Sequence, residues 1–384
     1  MVKTGIDVLQ KQQFAPLKGL ACGLFTNLAA CDANFTPTYR ILTESDRVQM
    51  RALFAPEHGF AGSAPEGAHI AHDTDVRTGL PVHSLYGSSL KPTPEMLTGL
   101  DAIICDIQDV GVRYYTFTWT LTYILEAAGQ EGIRVIILDR PNPLGGEVRG
   151  APLDLKFSSL VGRFPVPTRH GMTIGELAGM INAQWNPHPA ALTVIPCEGW
   201  QHDLIWDQTG LGWVAPSPNM PRFQTAQHYP GSCLIEGTIL SEGRGTTLPF
   251  QITGAPFVDG FATADALNAL AFRGVRFRPH YFQPTAGKWA GMRCGGVQVH
   301  LLDAAVYDPL EVWLGVIATL RDLYPSHFAW LPPHNDTYHF DRLIGSDQPR
   351  MQIERGETFA AISAGWADFV KDFHTQRGPY LLYP

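Results

Sequence analysis

Four short apolar runs in the first half of the chain, each ending in a polar cluster, constrain its fold more than any other feature. They occupy residues 20–26 (LACGLFT), 48–55, 102–107 (AIICDI) and 134–138 (RVIIL). The apolar residues are mostly continuous rather than alternating. That pattern suits strands covered on both faces, as in a parallel sheet between two helical layers. Residues 116–128 form a longer unbroken apolar stretch and read as a helix between the third and fourth runs. Strand–helix–strand order of this kind predicts an open, Rossmann-like, mainly parallel α/β domain. Thr173-Ile174-Gly175-Glu176 fits a capping box, which predicts a helix to about Trp185, before Pro187. Residues 192–196 read as a further strand.

Pro216, Pro218, Pro221 and Pro230 crowd one stretch, which marks a boundary or crossing segment. Beyond it, helices are expected over 264–272, 310–323 and 358–374, with an alternating strand over 296–302. A chain of 384 residues exceeds what one core usually serves. The expectation is an N-terminal Rossmann-like domain over 1–228 and a smaller α+β C-terminal domain over 229–384.

Charge and motif content exclude several function classes. The net charge is −8 and no Lys/Arg run occurs, which argues against a nucleic-acid partner. No apolar stretch is long enough to span a bilayer. No apolar leader segment follows Met1, so the cytoplasm is the expected location. The six cysteines are scattered without metal-type spacing and read as buried thiols. No GxGxxG follows the first strand and no GxSxG occurs, so neither a dinucleotide cofactor nor a serine nucleophile is expected.

In open α/β sheets, ligands bind beyond the carboxyl ends of the strands. Here those ends carry Asn27, then Glu57-His58, then Asp106, Gln108, Asp109, Arg113 and Tyr114, then Asp139, Arg140 and Asn142. In a parallel sheet all four clusters share one edge. A lone Asp at such a position is more often a helix cap or turn former than a catalyst. Four clusters on one edge make a cleft the better reading. A second polar region, 236–247, brackets Glu242 and Arg244 with glycines. It reads either as a guanidinium clamp for a carboxylate or as a turn in which Glu242 and Arg244 pair.

Several stretches together resemble one family: TGIDVL (4–9), APEHGF (55–60), TGLPVHSLYG (78–87), DIQDVGVRYYTF (106–117), LDRPNPLGG (138–146), PTRHGMTIGELA (167–178), PSPNMP (216–221), EGTILSEGRGTTLPF (236–250) and GGVQVHLLD (295–303). In this they are similar to the NamZ-like exo-β-N-acetylmuramidases. The resemblance implies a Rossmann-like domain with a smaller C-terminal domain closing a cleft. It also implies release of N-acetylmuramic acid from the non-reducing end of peptidoglycan-derived glycans. It makes Glu57 the lead catalytic residue and puts Arg169, His170, Glu242 and Arg244 in the cleft wall beside the strand-end residues. The chain departs from the family pattern at Leu28 and at Ala61.

Glycoside cleavage needs a proton for the leaving oxygen and stabilisation of an oxocarbenium-like centre. Glu57 takes the first role. The second needs a carboxylate, a tyrosine or the substrate's own acetamido group, and Asp106, Asp109, Asp139 and Tyr114 are the open candidates on the chain. Arg113, Arg140, Arg169 and Arg244 are candidates to bind the lactyl carboxylate of the sugar, with Asn27, His58, Gln108, Asn142, His170 and Glu242 as further substrate contacts. Two rival readings remain. One is a metal-dependent hydrolase built on His58, His69, His72 and Asp73. The other is a non-catalytic amino-sugar-binding protein using Trp119, Trp200, Trp206 and Trp213, which individually suit packing better.

Overall fold

The computed structural model describes residues 1–65 and 67–384. The chain forms two compact units that interleave in sequence. The first comprises Met1–Val148, His170–Phe223 and His374–Pro384; the second comprises Arg149–Arg169 and Gln224–Phe373.

The first unit is an α/β domain around a seven-stranded sheet. Its strands are β1 (Ala21–Phe25), β2 (Gln49–Ala55), β3 (Asp73–Thr74), β4 (Pro81–Ser84), β5 (Ala102–Cys105), β6 (Arg134–Leu138) and β7 (Ala191–Ile195). The order is β3-β4-β2-β1-β5-β6-β7, and every pairing is parallel except that of β3 with β4. The apolar runs form the central strands, and β5 is buried along its whole length. The chain steps from β1 outward through β2 and β4, then returns to β5 and steps the other way. The reversal between β1 and β5 opens a crevice at their carboxyl ends.

Backbone hydrogen bonds carry the register past the strand ends. Asp106 N–H donates to Phe25 O, Thr26 N–H to Phe54 O, Asp139 N–H to Ile195 O and Leu85 N–H to Ala55 O. The polar clusters therefore stand side by side on one sheet edge, at the inter-strand spacing of about 4.8 Å.

Helix Thr116–Glu131 is buried over most of its length and ends at Gly132, whose φ of 70° supplies the left-handed C-cap. Helix Ile174–Gln184 starts with the expected capping box. Thr173 Oγ1 accepts from Glu176 N–H at 3.2 Å, and Glu176 Oε2 accepts from Thr173 N–H at 2.9 Å. Trp119, Trp200 and Trp206 are buried, and Trp206 meets Trp213 edge-on at 5.1 Å, so these tryptophans pack the unit. No helix among the described residues is long and apolar enough to cross a membrane.

The second unit holds an antiparallel sheet of β8 (Ile252–Ala255), β9 (Val275–Phe282) and β10 (Cys294–Leu301), ordered β8-β10-β9. Helices Gly260–Ala269 and Pro309–Leu323 start at Asp259 and Asp308, whose carboxylates accept first-turn N–H groups. Two sequence expectations need correction. The helix expected over 358–374 is two helices, Phe359–Ser363 and Trp366–Arg377. The break falls at Ala364-Gly365, where glycine disfavours helix by about 1 kcal/mol. The proline-rich crossing segment is partly helical. Helix Phe223–Ser232 contains Pro230 near its end and gives way to a 3₁₀ turn over Cys233–Gly237.

The chain terminus locks onto the first unit through Asp139. Asp139 Oδ2 accepts from Tyr383 OH at 2.6 Å and Thr173 Oγ1 at 2.7 Å, and Oδ1 accepts from Gly175 N–H at 2.8 Å. Burial pushes this carboxyl up to about 6 against those donors, and nearby Glu176 adds to the rise. Its folded value thus lies above the unfolded one, near 3.9. The folded state binds the proton more tightly, so this contribution is complete below about pH 4 and is lost as pH rises through about 6. Asp139→Asn mimics the neutral group. Wild type should lose stability relative to Asp139→Asn between pH 4 and pH 7 in chemical denaturation. A gap independent of pH would refute the assignment.

Candidate active site

The strand-end residues sort by the partners that their side chains meet. Asp106 is fully buried and grips Arg140 in a two-pronged pair. Arg140 Nη2 donates to Asp106 Oδ2 at 2.9 Å, and Arg140 Nε donates to Oδ1. Thr38 Oγ1 also donates to Asp106, and Arg140 Nη2 reaches Cys31 O at 2.9 Å. Burial opposes the Arg140 charge, but Asp106 outweighs it and holds the guanidinium above its ordinary value. The two charges answer each other.

The amides shape the loops. Asn27 Nδ2 donates to Pro216 O at 3.0 Å, and its Oδ1 accepts from Ala29 N–H at 3.1 Å. Gln108 Nε2 donates to Asp109 O at 2.7 Å and Pro141 O at 3.1 Å. Asn142 Nδ2 donates to Met172 O at 3.0 Å, and its Oδ1 accepts from Leu144 N–H at 2.9 Å. Gly111, at φ 77°, passes so close that a Cβ there would sit 2.2 Å from Asn142 Oδ1, so only glycine fits.

Glu57 follows β2 after Pro56. The next residue, His58, holds a left-handed backbone at φ 68°, uncommon for a residue with a side chain. His58 Nδ1 faces Ala64 O at 2.8 Å, so that nitrogen donates and the loop is pinned. Glu57 Oε2 accepts from Thr116 Oγ1 at 2.8 Å, and Oε1 accepts from Gly67 N–H at 3.3 Å. Thr116 opens helix Thr116–Glu131, whose N-cap residue Tyr115 supplies no side-chain cap. The carboxylate therefore lies where the helix dipole is positive. Beside it, His58, Phe60, Ala61, Ile70 and Asp73 help line a cavity of about 350 Å³.

Asp109 reaches the same helix turn. Its Oδ2 accepts from Gly111 N–H at 2.6 Å and its Oδ1 from Thr118 Oγ1 at 3.2 Å. His170 Nε2 lies 3.5 Å from Asp109 Oδ2. His170 Nδ1 accepts from Met172 N–H at 3.2 Å, so Nε2 carries the hydrogen that faces Asp109. Arg377 fixes this corner by donating to His170 O at 3.2 Å and Gly171 O at 2.6 Å. Arg113 and Tyr114 are buried in the connecting segment. Burial pulls the Arg113 guanidinium down to about 10, against a smaller opposing effect of Tyr114. Trp119 Nε1 donates to Arg113 O and fixes that backbone. Thr116, Thr118 and Arg377 were not singled out from sequence. Threonines at a helix start carry no signal until their partners are known.

The remaining candidates belong to the second unit. Arg244 Nη2 lies 2.6 Å from Glu236 Oε1, and its Nε lies 3.5 Å from Glu242 Oε1. Glu242 also takes Lys288 Nζ at 3.0 Å. Burial would raise the Glu236 carboxyl, but Arg244 and His339 outweigh it and hold it down to about 2. The paired reading of this loop is thus the one observed, with Glu236 as the chief partner of Arg244. Arg169 forms a backbone bridge with Arg149 and lies close enough to Tyr307 to act on its phenol.

The metal reading finds no geometry. Among the described residues, no three His, Cys, Asp or Glu side chains converge to hold an ion. His72 Nδ1 accepts from Ser84 N–H at 3.1 Å, while Asp73 accepts from the N–H of its neighbour Thr74 at 2.7 Å.

Comparison with known proteins agrees along the whole chain. Residues 22–224 match the family model of the exo-β-N-acetylmuramidase NamZ N-terminal domain, and residues 227–383 match that of its C-terminal domain. The chain is 42% identical over 383 residues to the peptidoglycan β-N-acetylmuramidase NamZ of Bacillus subtilis (strain 168), covering 100% of this chain and 91% of that protein. The crystal structure of a DUF1343 family protein from Bacteroides fragilis NCTC 9343 superposes with a TM-score of 0.91 at 35% identity, covering 100% of this chain and 99% of that one. A second DUF1343 protein from the same organism gives 0.77 at 33% identity, with the same coverage. The chain belongs to the NamZ exo-β-N-acetylmuramidase family.

Proposed function

We propose that this chain releases N-acetylmuramic acid from the non-reducing end of peptidoglycan-derived glycans, with Glu57 delivering the proton to the leaving oxygen. The observation that carries the catalytic part is the ranking of the strand-edge carboxylates. Glu57 is 7% exposed and Asp109 5%, whereas Asp106 and Asp139 are both 0% exposed. Asp106 is closed by Arg140, and Asp139 by Thr173, Gly175 and Tyr383. Glu57 and Asp109 both bond the first turn of helix Thr116–Glu131, and they are taken as the catalytic pair, with Asp106 and Asp139 in the frame.

As the C1–oxygen bond breaks, the Glu57 proton goes to the departing alcohol. Asp109 faces the positive charge that grows at C1, and water supplies the hydroxyl that ends there, its other proton replacing the one Glu57 gave up. The lactyl carboxylate calls for a guanidinium partner, and Arg113 and Arg169 are the candidates, since Arg140 and Arg244 already hold Asp106 and Glu236.

The test is hydrolysis of 4-nitrophenyl β-N-acetylmuramide beside the matching glucosaminide, each with and without a chelator. Turnover of the muramide alone, unchanged by chelator, is expected. Equal turnover of both sugars, or binding without turnover, would overturn the proposal.

A further inference from the structure

Helix Thr116–Glu131 places threonine at four alternate positions, 116, 118, 120 and 122, although β-branched residues are poor helix formers. The last two use their hydroxyls within the helix. Thr120 Oγ1 donates to Thr116 O at 3.3 Å, and Thr122 Oγ1 donates to Trp119 O at 2.7 Å. The first two stand at the first and third positions of the helix, and each gives its hydrogen to a carboxylate arriving from the sheet edge. Thr116 holds Glu57 at 2.8 Å, and Thr118 holds Asp109 at 3.2 Å.

We infer that Thr116 and Thr118 are positioning residues that set the orientation of the two catalytic carboxyl groups. The inference rests on the assignment of Glu57 and Asp109 above. A hydroxyl has one hydrogen to donate, so Thr116 fixes Glu57 Oε2 as an acceptor. The transferable proton then resides on Oε1, the oxygen that meets only the longer contact from Gly67 N–H at 3.3 Å. Without the Thr116 hydroxyl only the longer Gly67 contact orients the carboxyl group, and the proton is delivered from the right oxygen only part of the time. Thr118 acts on Asp109, which serves C1 whatever the leaving group is.

The test compares Thr116→Val, Thr116→Ser, Thr118→Val and Thr118→Ser with wild type and Glu57→Gln. Two substrates are used, the disaccharide N-acetylmuramyl-N-acetylglucosamine and 4-nitrophenyl β-N-acetylmuramide. Valine keeps the shape and removes the hydroxyl, and serine restores it. Thr116→Val should lower kcat on the disaccharide by about 10–100-fold, the scale of a misplaced catalytic group, with KM changed less than about twofold. Its loss on the nitrophenyl substrate should be much smaller, because nitrophenolate leaves with little protonation. Thr118→Val should lower kcat on both substrates alike. Each serine variant should recover to within about threefold of wild type, since its hydroxyl can make the same bond.

A Thr116→Val enzyme as active as wild type, or equally impaired on both substrates, overturns the inference for Thr116. A folded serine variant that fails to recover overturns it for its site. If Glu57→Gln stays active, the underlying assignment falls instead. If Glu57→Gln is inactive while both valine variants are normal, only the positioning role falls.

Discussion

Glu57→Gln is expected to lower kcat on the disaccharide by about 10²–10⁴-fold, the usual contribution of a general acid, while the sugar still binds. Glutamine keeps the length of the side chain and an oxygen to accept from Thr116, whose hydroxyl lies 2.8 Å from Glu57 Oε2. The loop and helix start should therefore keep their geometry. The amide cannot surrender a proton to a departing sugar, so the barrier to C1–oxygen cleavage rises while ground-state contacts remain. The signature is a collapse of kcat with little change in the dissociation constant of N-acetylmuramic acid, measured by calorimetry. The nitrophenyl substrate should suffer less, for the reason given for Thr116. A variant with wild-type turnover of the disaccharide would remove Glu57 from the role, and a loss confined to affinity would make it a binding residue.

The frame around this group was legible from sequence because its physics is local. Apolar runs such as 102–107 and 134–138 have no surface to offer solvent, and they became the central strands β5 and β6. The capping box at Thr173 and Glu176 needs only four neighbouring residues, and it formed as expected. Other elements carried too little pattern. β3 has two residues, and β4 lies inside the TGLPVHSLYG motif with no apolar run of its own. The candidate residues are legible in the sequence as a set on one sheet edge, but not by role. Asp106, Asp109 and Asp139 look alike in sequence, each an acid at a strand end. What separates them is the partner each meets: Arg140 for Asp106, Tyr383 for Asp139 and Thr118 for Asp109. Tyr383 lies 244 residues from Asp139, and no local pattern reports such a pairing. Arg244 carries the same lesson, because its main partner Glu236 competes with any substrate carboxylate for the guanidinium fork.

The most damaging change to the frame should be Arg140→Ala, with a loss of about 3–5 kcal/mol, the range for breaking a buried ion pair. Asp106 is completely buried, and without the guanidinium its charge would be left with the Thr38 hydroxyl. The Cys31 carbonyl would lose its donor as well. At about 2–4 °C per kcal/mol for a domain of this order, the melting midpoint should fall by about 6–20 °C. Arg140→Lys should recover only part of this, since an ammonium cannot make the two parallel contacts that Nε and Nη2 make with the carboxylate. Asp106→Asn combined with Arg140→Met removes both charges together and should be less damaging than Arg140→Ala alone, because no uncompensated ion stays buried. Salt should change these differences little, since a pair closed to solvent is poorly screened. The order of the three variants is the decisive measurement, read by thermal or urea unfolding. If Arg140→Ala melted within about 2 °C of wild type, or the double variant were the worst, the pair would not be the strut that holds β5 to β6 at the sheet edge that carries Glu57 and Asp109.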